Sequence, residues 1–368
     1  MSIKVNPDLL KEIKKYGAFD ISACFNCGNC TAVCPLAKED ASFPRRLIRQ
    51  GSLGVETAVA SAIEPWHCYY CGECSATCPR EAQPGEYMMA LRRYLIAKYD
   101  ITGLSKFFYK TGWLQTWLTA GLFAGVLWLY NSYTGDFGAL AGKIEMAFPV
   151  YVTIALGGYV LNMYRHAIVK PLGGIKATFK PAHIIETFIH GFTQKNINGC
   201  EEPDLVRWIS HLLVMSGYTL TLVISNLHLL EPLNKQYGLF SPVSLLVWYA
   251  GLAIIVGGGS MSLRRVFKSA ESSKFSHPSD WLFVIMMFLI GASMLATQFV
   301  NVTQGPASPL LGTLYRVNIA IETVWIILVV PFTKWIHIFF RPLAVYFQRV
   351  KQEDAAGTAF TLKFGGAK

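Results

Sequence analysis

The chain has 368 residues, of which 52% are hydrophobic and 15% charged, and its mean hydropathy is +0.35. That is too apolar for a single soluble domain. The net charge of +10 would suit nucleic acid, but the Lys and Arg gather in no one motif. They flank apolar segments instead, which points to membrane topology and away from a nucleic-acid partner.

The first segment, MSIKVNPDLLKEIKKYG, is charged and amphipathic and does not read as a secretory signal. The cysteines after it are therefore expected as reduced thiols on the cytoplasmic side. Cys24, Cys27, Cys30 and Cys34 form a C-x2-C-x2-C-x3-C-P run, and Cys68, Cys71, Cys74 and Cys78 repeat it with identical spacing. This is the bacterial ferredoxin spacing for two [4Fe-4S] clusters, in which the fourth Cys of each run serves the other cluster. The expected sets are Cys24, Cys27, Cys30 and Cys78 for one cluster, and Cys68, Cys71, Cys74 and Cys34 for the other. Zinc knuckles compete as a reading, but zinc sites usually pair two C-x2-C units across a longer gap.

Between the runs, LAKEDASFPRRLIRQGSLGVETAVASAIEPWH reads as two short helices broken at Gly51–Gly54. After the second run, EYMMALRRYLIAKYD reads as an amphipathic helix, and no β-alternation occurs. These residues, about 15–100, resemble the heterodisulfide reductase C subunit family of helical two-cluster domains. The resemblance implies an all-α ferredoxin.

Six stretches approach the ~20 residues that span a bilayer: Gly112–Asn131, Phe148–His166, Leu205–Leu229, Val243–Leu263, Trp281–Phe299 and Leu314–Phe340. Connectors 165–207 and 263–281 carry Arg165, Lys170, Lys176, Lys180 and Lys195, and Arg264, Arg265, Lys268 and Lys274. By the positive-inside rule both connectors, both termini and the clusters lie on the cytoplasmic side of a multi-pass protein of the cytoplasmic membrane. Trp113, Trp117, Trp128, Tyr130 and Tyr133 are expected as an aromatic belt on the first span.

Histidine is the usual protein ligand of b-type haem. His211 lies near the cytoplasmic start of the third predicted span and His337 near the cytoplasmic end of the sixth. VVPFTKWIHIFFRP resembles the P-F-[ST]-[RK]-x-x-H-I segment of the respiratory nitrate reductase gamma family, a cytochrome b. FPVYVTIALGGYVLNMYRH, RWISHLL, GLAIIVGGGSMSLRRVF and DWLFVIMMFLIGASML resemble its other helices in order. Over about residues 148–345 the resemblance implies that His211 and His337 hold one haem b. The second haem does not transfer, because Thr221 and Ile319, beside Asn318, stand where its ligands belong. His228, 17 residues after His211 and roughly 25 Å along a helix, is the candidate for a second haem near the outer face. His166 is a weaker candidate.

The remaining polar residues carry blander readings. His183 and His190 share a face of a cytoplasmic helix and are expected at a protein or membrane-surface contact. His67 adjoins a cluster ligand, His277 is expected in solvent, and Cys200 is a spare thiol. Glu322 lies inside the sixth predicted span, where an acid is costly and often functional. It is read as a quinol proton acceptor or as an ion-pair partner of Arg316. GGGS at Gly257–Ser260 permits close helix approach or makes room for a porphyrin.

The expected organisation is all-α. A helical two-cluster ferredoxin occupies 1–105, an extra span and outer loop 106–147, a five-helix haem b domain 148–345 and a tail 346–368, giving a six-span cytochrome b-type bundle. The whole resembles the C-subunit family of quinone-interacting membrane-bound oxidoreductase (Qmo) complexes. That resemblance implies menaquinone in the lipid bilayer, flavin-containing cytoplasmic partner subunits and a link to dissimilatory adenylylsulfate reductase. The competing readings are a membrane subunit of a heterodisulfide-reductase-like or sulfite-reductase-associated complex, a structural membrane anchor, and a redox sensor.

Overall fold

The computed structural model of the chain describes residues 4–38, 42–169, 181–194, 197 and 204–364. Among them the regular elements are helices and no strand occurs. The short helices come first: α1 Leu9–Lys14, α2 Asn29–Ala32, α3 Arg45–Ser52, α4 Glu56–Ala60, α5 Glu64–His67 and α6 Glu73–Ala76. Then follow α7 Pro84–Tyr99, α8 Leu104–Lys110, α9 Leu114–Ser132, α10 Phe137–Tyr164 and α11 Pro181–Thr193. The last are α12 Leu205–Asn226, α13 Pro242–Phe267, α14 Glu271–Lys274, α15 Pro278–Gln304, α16 Pro309–Val324 and α17 His337–Phe364. The chain divides into two compact units. One comprises Met1–Lys106, Gly158–Pro203 and His337–Lys368; the other comprises Phe107–Gly157 and Asp204–Ile336.

The first unit is built round α7, which is buried on nearly every side rather than amphipathic. Its tyrosines reach outward to neighbouring backbone: Tyr87 OH donates to Leu47 O at 3.4 Å and Tyr99 OH to Ala60 O at 2.9 Å. Tyr87 comes so close to α3 that a Cβ on Gly51 would fall 1.9 Å from its hydroxyl oxygen, so that position excludes a side chain. Phe340 of α17 is fully buried and meets Trp66 edge to face, 4.8 Å between centroids.

The second unit is a bundle in which α12, α13, α15, α16 and α9 pack in succession. Three of its helices begin at a polar N-cap followed by proline, Ser241–Pro242, His277–Pro278 and Ser308–Pro309. The cap side chain satisfies a first-turn N–H and proline forfeits none that is needed. Glycines set the helix separations. A Cβ on Gly257 would lie 2.6 Å from Ser210 O, and one on Gly217 would lie 2.7 Å from Ala250 O. Buried amides join the helices, with Gln298 donating to Ser244 Oγ at 2.7 Å and Asn318 to Ser293 Oγ at 3.0 Å.

Five helical stretches are long and apolar enough to cross a membrane: Phe137–Val169, Leu205–Asn226, Pro242–Phe267, Pro278–Gln304 and Pro309–Val329. The expected first span forms as α9, but its Gln, Asn, Trp and Tyr keep it out of that set. Trp113, Trp117 and Trp128 are exposed along it. The expected outer loop before Phe148 is instead helix from Phe137, with Pro149 accommodated inside it. The expected sixth span is also corrected. It runs Pro309–Val329 and stops before Pro331, whose ring disallows a continuing helix. His337 therefore opens the next helix rather than closing the span.

Candidate metal centres

The two cysteine runs fold as twin turns. Gly28 and Gly72, at φ +94° and +101°, precede α2 and α6, and Asn26 and Tyr70 take left-handed φ of 59° and 54°. This conformation turns backbone N–H groups inward: Asn26 N donates to Cys24 Sγ and Tyr70 N to Cys68 Sγ, each at 3.4 Å. The helices α2 and α6 pack on one another, so each run's fourth cysteine falls beside the other run.

Cys34, Cys68, Cys71 and Cys74 all line one pocket, with Pro35 and Met88 in its wall. Cys30 lies within electrostatic reach of Cys24, Cys27 and Cys78. Burial, then the neighbouring thiols, push the Cys30 thiol up to about 11. Burial, with Cys68 and Cys71 adding to it, pushes Cys34 up to about 12. Burial likewise raises Cys74 well above the usual thiol range, helped by Cys68, Cys71, Cys34 and Cys30. A cationic iron core would have to offset this burial and mutual repulsion to hold the cysteines as thiolates. Among the described residues no group of three or more His, Cys, Asp or Glu is arranged to hold a metal ion. Four of the thiols nonetheless share one pocket, Cys34 of the first run with Cys68, Cys71 and Cys74 of the second.

The support around the pocket was not visible in the sequence. Arg92 and Arg341 are the cations facing Cys68, and they oppose the rise that burial gives its thiol. Arg92 donates to Pro65 O at 2.7 Å and also to Cys68 O, and Arg341 lies over the Tyr69 ring at 4.7 Å. Behind the wall, buried Arg93 donates to Glu86 Oε1 at 3.0 Å and to Tyr16 O at 2.9 Å. Tyr70, which lines the pocket, donates its hydroxyl to Glu86 Oε2 at 3.1 Å.

The other expected site residues fall as follows. His211 is on α12 in the second unit and His337 is in the first. His228 lies beyond the end of α12, at φ +48°, with Nδ1 3.5 Å from Glu145 Oε2. Glu322 bonds Asn318 and lies within electrostatic reach of Glu145. Arg316 turns elsewhere, donating to Tyr130 O and Gly312 O and covering the Phe137 ring. Glu145 does not stand out in the sequence, because the segment around it reads as a loop. His166 packs against Tyr99 and His183 against Tyr346. His277 is not in solvent: it caps α15, and its Nε2 lies 3.1 Å from Tyr109 O. Within GGGS, Gly257 makes the close approach, while a Cβ on buried Gly258 or on Gly259 would meet nothing within 4 Å. The His190 side chain and Cys200 lie outside the described residues.

Residues 20–82 match the family model of a 4Fe-4S dicluster domain. This part of the chain is an iron–sulfur electron-transfer domain. A protein of Archaeoglobus profundus named for its likeness to the heterodisulfide reductase C subunit is 35% identical over 94 residues, which is 25% of this chain and 50% of that protein. The chain thus spans about half the length of the relative it matches. No solved structure matches the chain.

Proposed function

We propose that the chain carries electrons between a membrane quinone and flavin-containing cytoplasmic subunits, through a haem b and two [4Fe-4S] clusters. The observation that carries this reading is the gathering of Cys34 with the three cysteines of the other run about one pocket, in a chain that also has five apolar spans. The crossed sets, Cys24, Cys27, Cys30 and Cys78 and Cys34, Cys68, Cys71 and Cys74, are the proposed ligands. The proximity of Cys74 to both Cys34 and Cys30 supports direct exchange between the two centres.

His211 and His337 are the proposed haem ligands, carried by the nitrate reductase gamma resemblance. Gly257 packs on Ser210 and Val214, either side of His211, and a Cβ on Gly258 would meet nothing within 4 Å. Bound there, a haem supplies a one-electron carrier. Glu322 is the proposed acceptor of a proton from quinol, held by Asn318 and faced by Glu145. His228 is not needed for this haem, and its contact with Glu145 gives it a polar partner in the same region. Menaquinone, the flavin partners, a cytoplasmic position of the clusters and the link to adenylylsulfate reductase rest on the Qmo resemblance and on the charge of the connectors. The A. profundus relative favours a second reading, a component of a heterodisulfide-reductase-like complex. Anaerobic mixing with menaquinol tests the proposal: haem and cluster signals both become reduced if it holds, and neither responds if the membrane part is only an anchor.

A further inference from the structure

We propose that α11 is an interfacial helix whose apolar face lies in the headgroup boundary of an anionic bilayer, holding the cluster-bearing unit to the membrane plane. Ile185, Phe188, Ile189 and Phe192 are 60, 60, 50 and 73% exposed. They recur at i, i+3, i+4 and i+7 and so form one stripe. The Phe188 and Phe192 rings stack at 6.3 Å. A contiguous apolar stripe of this kind marks an interaction surface.

The opposite face of α11 is already occupied. From α17, Arg349 donates through Nε and Nη2 to the Glu186 carboxylate, at 2.6–3.2 Å. The ring of His183 lies against Tyr346 of the same helix.

Two features of the chain choose the bilayer over a protein as occupant. First, α11 is strung between two candidate spans, Phe137–Val169 and Leu205–Asn226. The connectors 170–180 and 194–204 let it stray at most ~40 Å from either. Second, Lys170, Lys176, Lys180 and Lys195 flank the helix, and the one acid between 170 and 195, Glu186, is paired with Arg349. An apolar stripe in a basic frame complements anionic headgroups.

The consequence reaches the metal centre. The helix that holds α11 also places Phe340 against Trp66 and Arg341 over Tyr69, a wall residue of the four-cysteine pocket. A bilayer-bound α11 is thereby joined, through α17, to the wall of that centre.

The test uses the full-length chain in phosphatidylglycerol nanodiscs. A nitroxide-bearing unnatural amino acid is placed singly at 185, 188, 189 and 192, with exposed Leu53 of the cluster-bearing part as the reference. Oxygen collisions should exceed those of a water-soluble nickel chelate at the four stripe positions, with the order reversed at 53. Nickel access at all four positions would overturn the proposal, as would shielding from both reagents, which would mark a protein occupant. Exchange into phosphatidylcholine should lower the oxygen-to-nickel ratio severalfold, and an unchanged ratio would overturn the anionic assignment.

Discussion

The pocket wall depends on one buried ion pair, and Arg93→Met should reveal it. Arg93 and Glu86 are each 9% exposed, and Arg93 also satisfies the carbonyl of Tyr16. Removing one partner of a buried pair leaves the other uncompensated, at a cost of about 3–5 kcal/mol. A domain holds roughly 5–15 kcal/mol in total. With a urea slope of about 2 kcal/mol per molar, the unfolding midpoint of this unit should fall by roughly 2 M. Replacing both partners, as Glu86→Leu with Arg93→Met, should recover most of the loss, because no buried charge remains. Pulse proteolysis across a urea series, followed on fragments of residues 1–106, reads the midpoint. A single variant within about 0.5 kcal/mol of wild type, or a double variant no better than the single, would refute the reasoning.

Other outcomes follow from the same geometry. Cys34→Ser should perturb the EPR signal of the centre built on Cys68, Cys71 and Cys74 and spare the other; a change confined to the first-run centre would sink the crossed ligation. Arg341→Gln should lower the reduction potential of the second-run centre by on the order of tens of millivolts, because a cation near Cys68 favours the more negative reduced cluster. An unchanged or raised potential in an EPR titration contradicts this. His211→Ala and His337→Ala should each abolish the same haem, so two separable haem losses would assign them to different sites. Glu322→Gln should slow quinol oxidation about 100-fold or more at constant haem content, and normal stopped-flow kinetics would retire its proton role.

The twin cysteine runs were legible because cluster ligation imposes a spacing that little else requires. The helical class was legible too, since nothing in the chain alternates. The helix break expected at 51–54 falls at Gly54, whose φ is +73°, while Gly51 stays inside α3. What escaped were relations between distant residues. No local pattern tells that Arg92 reaches Cys68 O while its neighbour Arg93 pairs with Glu86, since both look like the polar side of an amphipathic helix. Glu145 was hidden by a boundary error, as Lys143 and Glu145 make the start of α10 look like a loop. His277 looked solvent-bound because its cap and its contact with Tyr109 O depend on a residue far away in sequence. The end of the last span was misplaced because apolar residues continue past Pro331, and hydropathy does not register the broken helix.

The most direct measurement is an anaerobic count of iron, acid-labile sulfide and haem on the purified chain, with an EPR-monitored redox titration. About eight irons and about eight sulfides per chain are expected, two cubes of four, together with about one haem b. Two cluster signals should titrate separately. About two irons or fewer with bound zinc, or a single cluster signal, would contradict the central claim that the two runs build a pair of electron-transfer centres.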